Sequence, residues 1–97
     1  MVRIFVRHTV ADYAAWREVY DEFDAERGPM GVVAHGVYQG LDDPNDVTLW
    51  HDLATREQAE AFAASEALRD AMRRAGVRGQ PTVWLARGAP SGPSRPD

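Results

Sequence analysis

The amino-acid sequence predicts one α+β domain, an antiparallel sheet of four strands with helices packed on one face. Three observations carry that prediction. Four short segments alternate in the way of half-buried strands. Two longer segments repeat their apolar residues with a helical period behind recognisable caps. The chain has 97 residues and no cysteine, so its core is small and unstapled.

The first strand is expected over residues 2–8, a run rich in β-branched and aromatic residues. Val2, Ile4, Val6 and His8 share one face, and Arg3, Phe5 and Arg7 share the other. A helix then opens with Ala11 or Asp12 near its cap. Tyr13, Trp16, Tyr20 and Phe23 fall at i, i+3, i+7 and i+10, one stripe that Val19 widens. Arg17, Glu18, Asp21, Glu22 and Glu26 take the wet side. Gly28-Pro29 is expected to end this helix, glycine as a left-handed cap and proline as a residue that cannot continue the ladder. Residues 32–39 and 47–53 read as strands two and three, joined into a hairpin by the turn-forming run from Leu41 to Asp46. Thr55-Arg56-Glu57-Gln58 matches a capping box, and Ala59, Phe62 and Ala63 continue its helix. Ser65 reads as a second cap before Leu68, Ala71, Met72 and Ala75, so a break is expected near Ala64-Ser65, with Gly76 as the stop. Residues 80–87 read as strand four, with Pro81 at its start. The domain is therefore expected over residues 1–88. Residues 89–97 lack an aliphatic anchor and are expected to be a disordered tail.

Two consecutive βαβ-like halves around a central hairpin give the split βαβ, ferredoxin-like order βαββαβ. Right-handed crossovers then place the strands in the order 4-1-3-2, all neighbours antiparallel, with the helices on one face. The second face is apolar as well. Val47 and Leu49 oppose Trp50, and Thr82, Trp84 and Ala86 oppose Val83 and Leu85. A sheet apolar on both faces needs cover on both, and a two-fold partner is the economical cover for so short a chain.

Composition excludes several chemistries. Without cysteine there is no thiolate metal site and no thiol nucleophile. All 11 cations are arginines, so no amine is present for a Schiff base. The formal charge is −4 with no basic stripe, which argues against nucleic acid. No run approaches the ~20 apolar residues of a membrane helix, and the first eight residues are interrupted by arginine, so a cytoplasmic protein is expected.

The three histidines do not form a ligand set. His8 and His51 fall at opposite ends of the sheet, both read as strand-end residues in contact with water, and no H-x-x-x-H spacing exists. No metal and no cofactor are expected. His35 lies mid-strand between Val33 and Val37 on an apolar face. It reads as a hydrogen-bonded or dimer-facing residue, or as a neutral imidazole able to take a proton near neutral pH. Tyr13, Trp16 and Tyr20 read either as plain core or as part of a ligand box. A cavity lined by Trp16, Tyr20, Trp50, Phe62 and Met72 would suit a flat aromatic molecule. Arg3 and Arg7 read as rim residues or partners of acids across a dimer, and Asp42, Asp43 and Asp46 as a turn rather than a cation site.

The element order, the Asp12-Tyr13…Trp16 helix start, the Asp43-Pro44-Asn45 turn, and Phe62…Ser65-Glu66-Ala67-Leu68 followed by Ala75-Gly76-Val77 resemble the antibiotic biosynthesis monooxygenase-like proteins of the dimeric α+β barrel superfamily. The likeness spans residues 2–88. It implies a homodimer with a pocket between the sheet and the helices of each subunit. It also implies oxidation of a polycyclic aromatic polyketide by molecular oxygen without metal, flavin or haem. Other members of that superfamily cyclise polyketides, degrade haem or isomerise lactones. The expectation is a small tailoring enzyme, with His35 and Tyr20 as catalytic candidates and Tyr13, Trp16, Trp50, Phe62 and Met72 as binding walls. A non-redox cyclase or isomerase, or a non-catalytic dimeric binding module, are the alternatives.

Overall fold

A computed structural model describes residues 1–89. Its order of elements is β1 (Val2–Val10), α1 (Tyr13–Glu22), α2 (Asp24–Arg27), β2 (Val32–Gln39), β3 (Asp46–Leu53), α3 (Arg56–Ala63), α4 (Glu66–Arg74) and β4 (Val77–Ala86). The sheet runs β2-β3-β1-β4, every neighbour antiparallel, which is the expected order read from the other edge. The expected tail lies outside the described residues from position 90 onward.

The caps act as their residue types require. The Asp12 carboxylate accepts from the amide of Ala15, Thr55 Oγ1 from that of Gln58, and Ser65 Oγ from that of Leu68. Ser65 Oγ also donates to the Phe62 carbonyl, so one hydroxyl both ends α3 and starts α4, and the expected break is there. The hairpin turn is tied to α1 by Asn45. Its side chain accepts from the Tyr13 amide at 2.9 Å, and its carbonyl accepts from the Val10 amide at 2.9 Å. Gly76, at φ 79°, turns the chain out of α4 into β4.

Several boundaries differ from expectation, β1 running on to Val10 rather than stopping at His8. The first helix is not continuous to Gly28; it breaks at Phe23 and resumes as the single turn α2. Gly28 itself is right-handed, and the left-handed residue is Gly31, at φ 96°. Strand β4 begins at Val77 rather than residue 80. Pro81 is accommodated because β4 is an edge strand whose register against β1 shifts between Arg7 and Thr9.

Strand parity divides the sheet cleanly. Ile4, Val6 and His8 of β1 and Val47, Leu49, His51 and Leu53 of β3 are buried beneath the helices, joined there by Trp16, Tyr20, Phe23, Ala59 and Phe62. The opposite face carries Arg3, Phe5 and Arg7 paired with Asp52, Trp50 and Thr48. Phe5 stacks on Trp84 at 5.1 Å, and the Arg3 guanidinium lies 3.8 Å from the Trp50 ring centre while forking onto Asp52. Arg7 likewise grips Asp46. Both arginines therefore find their acids within this chain. The Trp50 indole lies flat across Gly36: a Cβ there would sit 2.7 Å from the indole nitrogen.

Candidate functional site

Between the sheet and the helices is an apolar cleft with an empty volume of about 460 Å³, its open mouth included, of which about 40 Å³ admits the centre of a water molecule. The sheet contributes Val6, His8, Leu49 and His51, α1 contributes Trp16 and Tyr20, and the far wall is Phe62, Leu68 and Met72. The α1 stripe forms a stacked ladder: Tyr13 on Trp16 at 5.7 Å, and Trp16 on Tyr20 at 5.0 Å. Of the residues expected in the cavity, Trp16, Tyr20, Phe62 and Met72 line it. Trp50 does not. It alternates against Leu49 and His51 and lies on the bare face of the sheet. Tyr13 stands behind Trp16, its hydroxyl accepting from Arg17.

His35 is brought to the site through Tyr20. A register shift between Val32 and Ala34 lets both Val32 and His35 face the helices, the latter opposite His51. The Tyr20 hydroxyl and His35 Nδ1 form a hydrogen bond, and His35 Nε2 lies 3.2 Å from an Asp24 carboxylate oxygen. The carboxylate can only accept, so it fixes the proton on Nε2 and leaves Nδ1 to accept from the phenol. This makes a hydrogen-bonded line from the cleft wall to solvent: Tyr20 is buried, the His35 side chain is 30% exposed and Asp24 is 68% exposed.

The sequence reading missed three further polar groups. His8 and His51 were expected in contact with water, yet they are 5% and 1% exposed and both line the cleft. Their parity with Ile4, Val6, Val47 and Leu49 was the available signal. Arg27, 2% exposed, continues the α1 stripe seven residues beyond Tyr20. Its Nε donates to His51 Nε2 at 3.0 Å, its Nη2 donates to the Tyr20 carbonyl at 2.8 Å, and its guanidinium lies 4.0 Å from the Tyr20 ring centre. Asp24, at 3.4 Å, is its carboxylate partner, although Asp24 is largely in water.

The electrostatics follow from burial. Desolvation pushes His8 down to about 4. His51 falls to about 3, chiefly by desolvation and then by the Arg27 charge. Both are neutral at physiological pH. Burial raises the Tyr20 phenol, while the charges of Arg27 and Arg17 oppose that rise. Burial also lowers Arg27 from its usual range. The cleft thus holds one cation, two neutral imidazoles and a phenol wired to solvent, inside apolar walls.

Solved structures share this architecture. The oxygenase SnoaB of Streptomyces nogalater, described as cofactor-independent, superposes with a TM-score of 0.76 at 16% identity, covering 96% of this chain and 97% of its own. A candidate antibiotic biosynthesis monooxygenase from Bordetella bronchiseptica gives 0.78 at 13% identity, covering 91% and 96%. An antibiotic biosynthesis monooxygenase gives 0.71 at 17% identity, covering 93% and 100%. The fold is that of the antibiotic biosynthesis monooxygenase-like proteins. At these identities the likeness is one of fold. No family model matches the sequence, and no curated protein does. No helix among the described residues is long and apolar enough to cross a membrane.

Proposed function

We propose that this chain is a cofactor-independent, monooxygenase-like tailoring enzyme that takes a proton from a flat aromatic or polyketide-type substrate in the cleft. The observation that supports it best is the line Tyr20–His35–Asp24, which joins an apolar pocket to water. A phenol or anthrone bound against Trp16 and Phe62 gives its proton to Tyr20 as Tyr20 passes its own to His35 Nδ1. The imidazolium is then held by Asp24. Arg27 over the Tyr20 ring lowers the cost of negative charge at that end of the cleft. The substrate anion supplies electrons to molecular oxygen. For an anthrone, two hydrogens leave the reacting carbon, one oxygen atom becomes a carbonyl and the other leaves as water, so one O2 is consumed per turnover with no external reductant. The walls exclude bulk water from the anion.

The fold in the three neighbours supports the oxygenase version. The narrowness of the free cleft favours a second reading, a binding module that opens only for its ligand. The bare face, with Phe5, Trp50 and Trp84 in a row, suits a two-fold pairing with a second copy in the cytoplasm. Oxygen uptake with an anthrone-type compound tests the enzyme reading. Tyr20→Phe and His35→Gln are expected to lower kcat by about a hundredfold or more. Unchanged turnover in both would dismiss the relay. Product formation without oxygen consumption would replace the oxygenase with a cyclase or isomerase.

A further inference from the structure

The relay leaves His8 and His51 without a task and uses Arg27 only as a charge beside Tyr20, and burying all three is costly. Among the described residues neither ring nitrogen of His8, nor Nδ1 of His51, has a hydrogen-bond partner, and all three atoms are buried. A buried polar atom without a partner costs stability, and replacement by an apolar group of the same shape removes that cost. His8 stands edge-on to Trp16 at 5.7 Å, a contact phenylalanine would make equally well. Arg27 is a buried cation whose one carboxylate is mostly in water, so its charge is poorly balanced inside.

These groups stand at two ends of one slot. His8 is opposite Val47 and His51 is opposite Ile4, so four residues of β1, about 13 Å, separate the two rows. Between them the wall is apolar, with Val6 and Leu49 on the sheet and Trp16 above. We infer that the cleft recognises an elongated aromatic ligand by both ends, seating an anionic oxygen against Arg27 and His51 and a hydroxyl or carbonyl against His8. His8 is then a binding residue that sets the orientation of the ligand, and Arg27 holds the charge formed beside Tyr20. The unsatisfied nitrogens are satisfied in the complex, which explains an imidazole where an apolar side chain would fold better. This rests on the cleft being the ligand site, as the proposed function has it.

The test is calorimetric titration with fused two-ring probes. 6-Hydroxy-2-naphthoate has both oxygens, 2-naphthoate lacks the hydroxyl, 2-naphthol lacks the carboxylate, and 2-naphthylmethylamine reverses the charge. In the unaltered protein, losing the hydroxyl should weaken binding about fivefold and losing the carboxylate about tenfold or more. The amine should bind more weakly than 2-naphthol. In His8→Phe the hydroxyl should add nothing, while the thermal midpoint holds or rises. In Arg27→Gln the carboxylate preference should shrink to about twofold. If Arg27→Gln does not fold, the charge-reversed probe still decides for that end, since equal binding of amine and carboxylate overturns the anionic seat. An undiminished hydroxyl increment in His8→Phe, or no binding by any probe, also overturns the inference. Two-ended binding without turnover would remove the enzyme reading and keep this one; turnover without it would do the reverse.

Discussion

Burying two neutral histidines makes this fold acid-sensitive above the range where its carboxylates titrate. Each histidine has its folded pKa depressed, from 6.5 to about 4 for His8 and to about 3 for His51. The unfolded chain therefore binds more protons than the folded one once pH falls below about 6.5, and stability falls with it. The full contribution is present above 6.5 and declines through the window down to the folded values. At about pH 5 the unfolded chain holds nearly two extra protons. Integrating from about pH 7 gives about 2 kcal/mol for each histidine and about 4 kcal/mol for the pair. That is a large share of the 5–15 kcal/mol of an ordinary small domain. Asp46, Asp52 and Asp70 are held below 3.8 by hydrogen bonds from Arg7, Arg3 and Arg73, so their loss comes only in stronger acid. Urea unfolding at fixed protein concentration, at several pH values from about 7 to about 5, measures the slope. His8→Phe should remove about half of it. The Hε1 resonances of both rings should show no titration near 6.5 in the folded protein. A stability change under about 1 kcal/mol across that interval, or ordinary histidine titration in the folded state, would refute the reasoning.

Other perturbations separate the cleft from the rest of the fold. Gly36→Ala puts a methyl group against the Trp50 indole, and about 1–3 kcal/mol of destabilisation is expected in urea unfolding, with the Trp50 emission altered. Phe62→Ala empties a fully buried position that touches both Phe23 and His51, and about 3–5 kcal/mol is expected to be lost. Asn45→Ala removes the acceptor that holds the Tyr13 amide to the hairpin turn, at a cost of about 1 kcal/mol measured the same way. Trp84→Glu on the bare face should shift sedimentation to the monomer while leaving the helix content by circular dichroism unchanged. An unmoved sedimentation coefficient would show that this face is not the contact.

The fold was legible because its signals are local. Alternation marked the strands, and Asp12, Thr55 and Ser65 are hydroxyl or carboxylate residues at the positions where helix ends need acceptors. The break at Phe23 was not legible, since Phe23 and Arg27 continue the apolar stripe and no residue there forbids a helix. The lining of the cleft was legible in half. Trp16, Tyr20, Phe62 and Met72 announce themselves by helical spacing. Trp50 was drawn into the cavity by its aromatic character, although its parity with Phe5 placed it on the other face. His8 and His51 were assigned to water by polarity when alternation placed them in the core. The joining of Tyr20 to His35 depends on a register shift in β2, a property of the assembled hairpin that no single segment displays.

The strict alternation along β1 has an evolutionary consequence. Neighbouring codons write to different surfaces: positions 4, 6 and 8 face the helices, the last two of them in the cleft, while 3, 5 and 7 reach the bare face. Point substitution can therefore reshape the helix-covered face without touching the bare one, and the reverse. A one-codon insertion or deletion has no such freedom, because it would exchange the two sets at a stroke and carry Arg3 and Arg7 into the core. Such a strand can diverge far by substitution while its length stays fixed, and chains of this fold can differ at most positions and still superpose along their whole length.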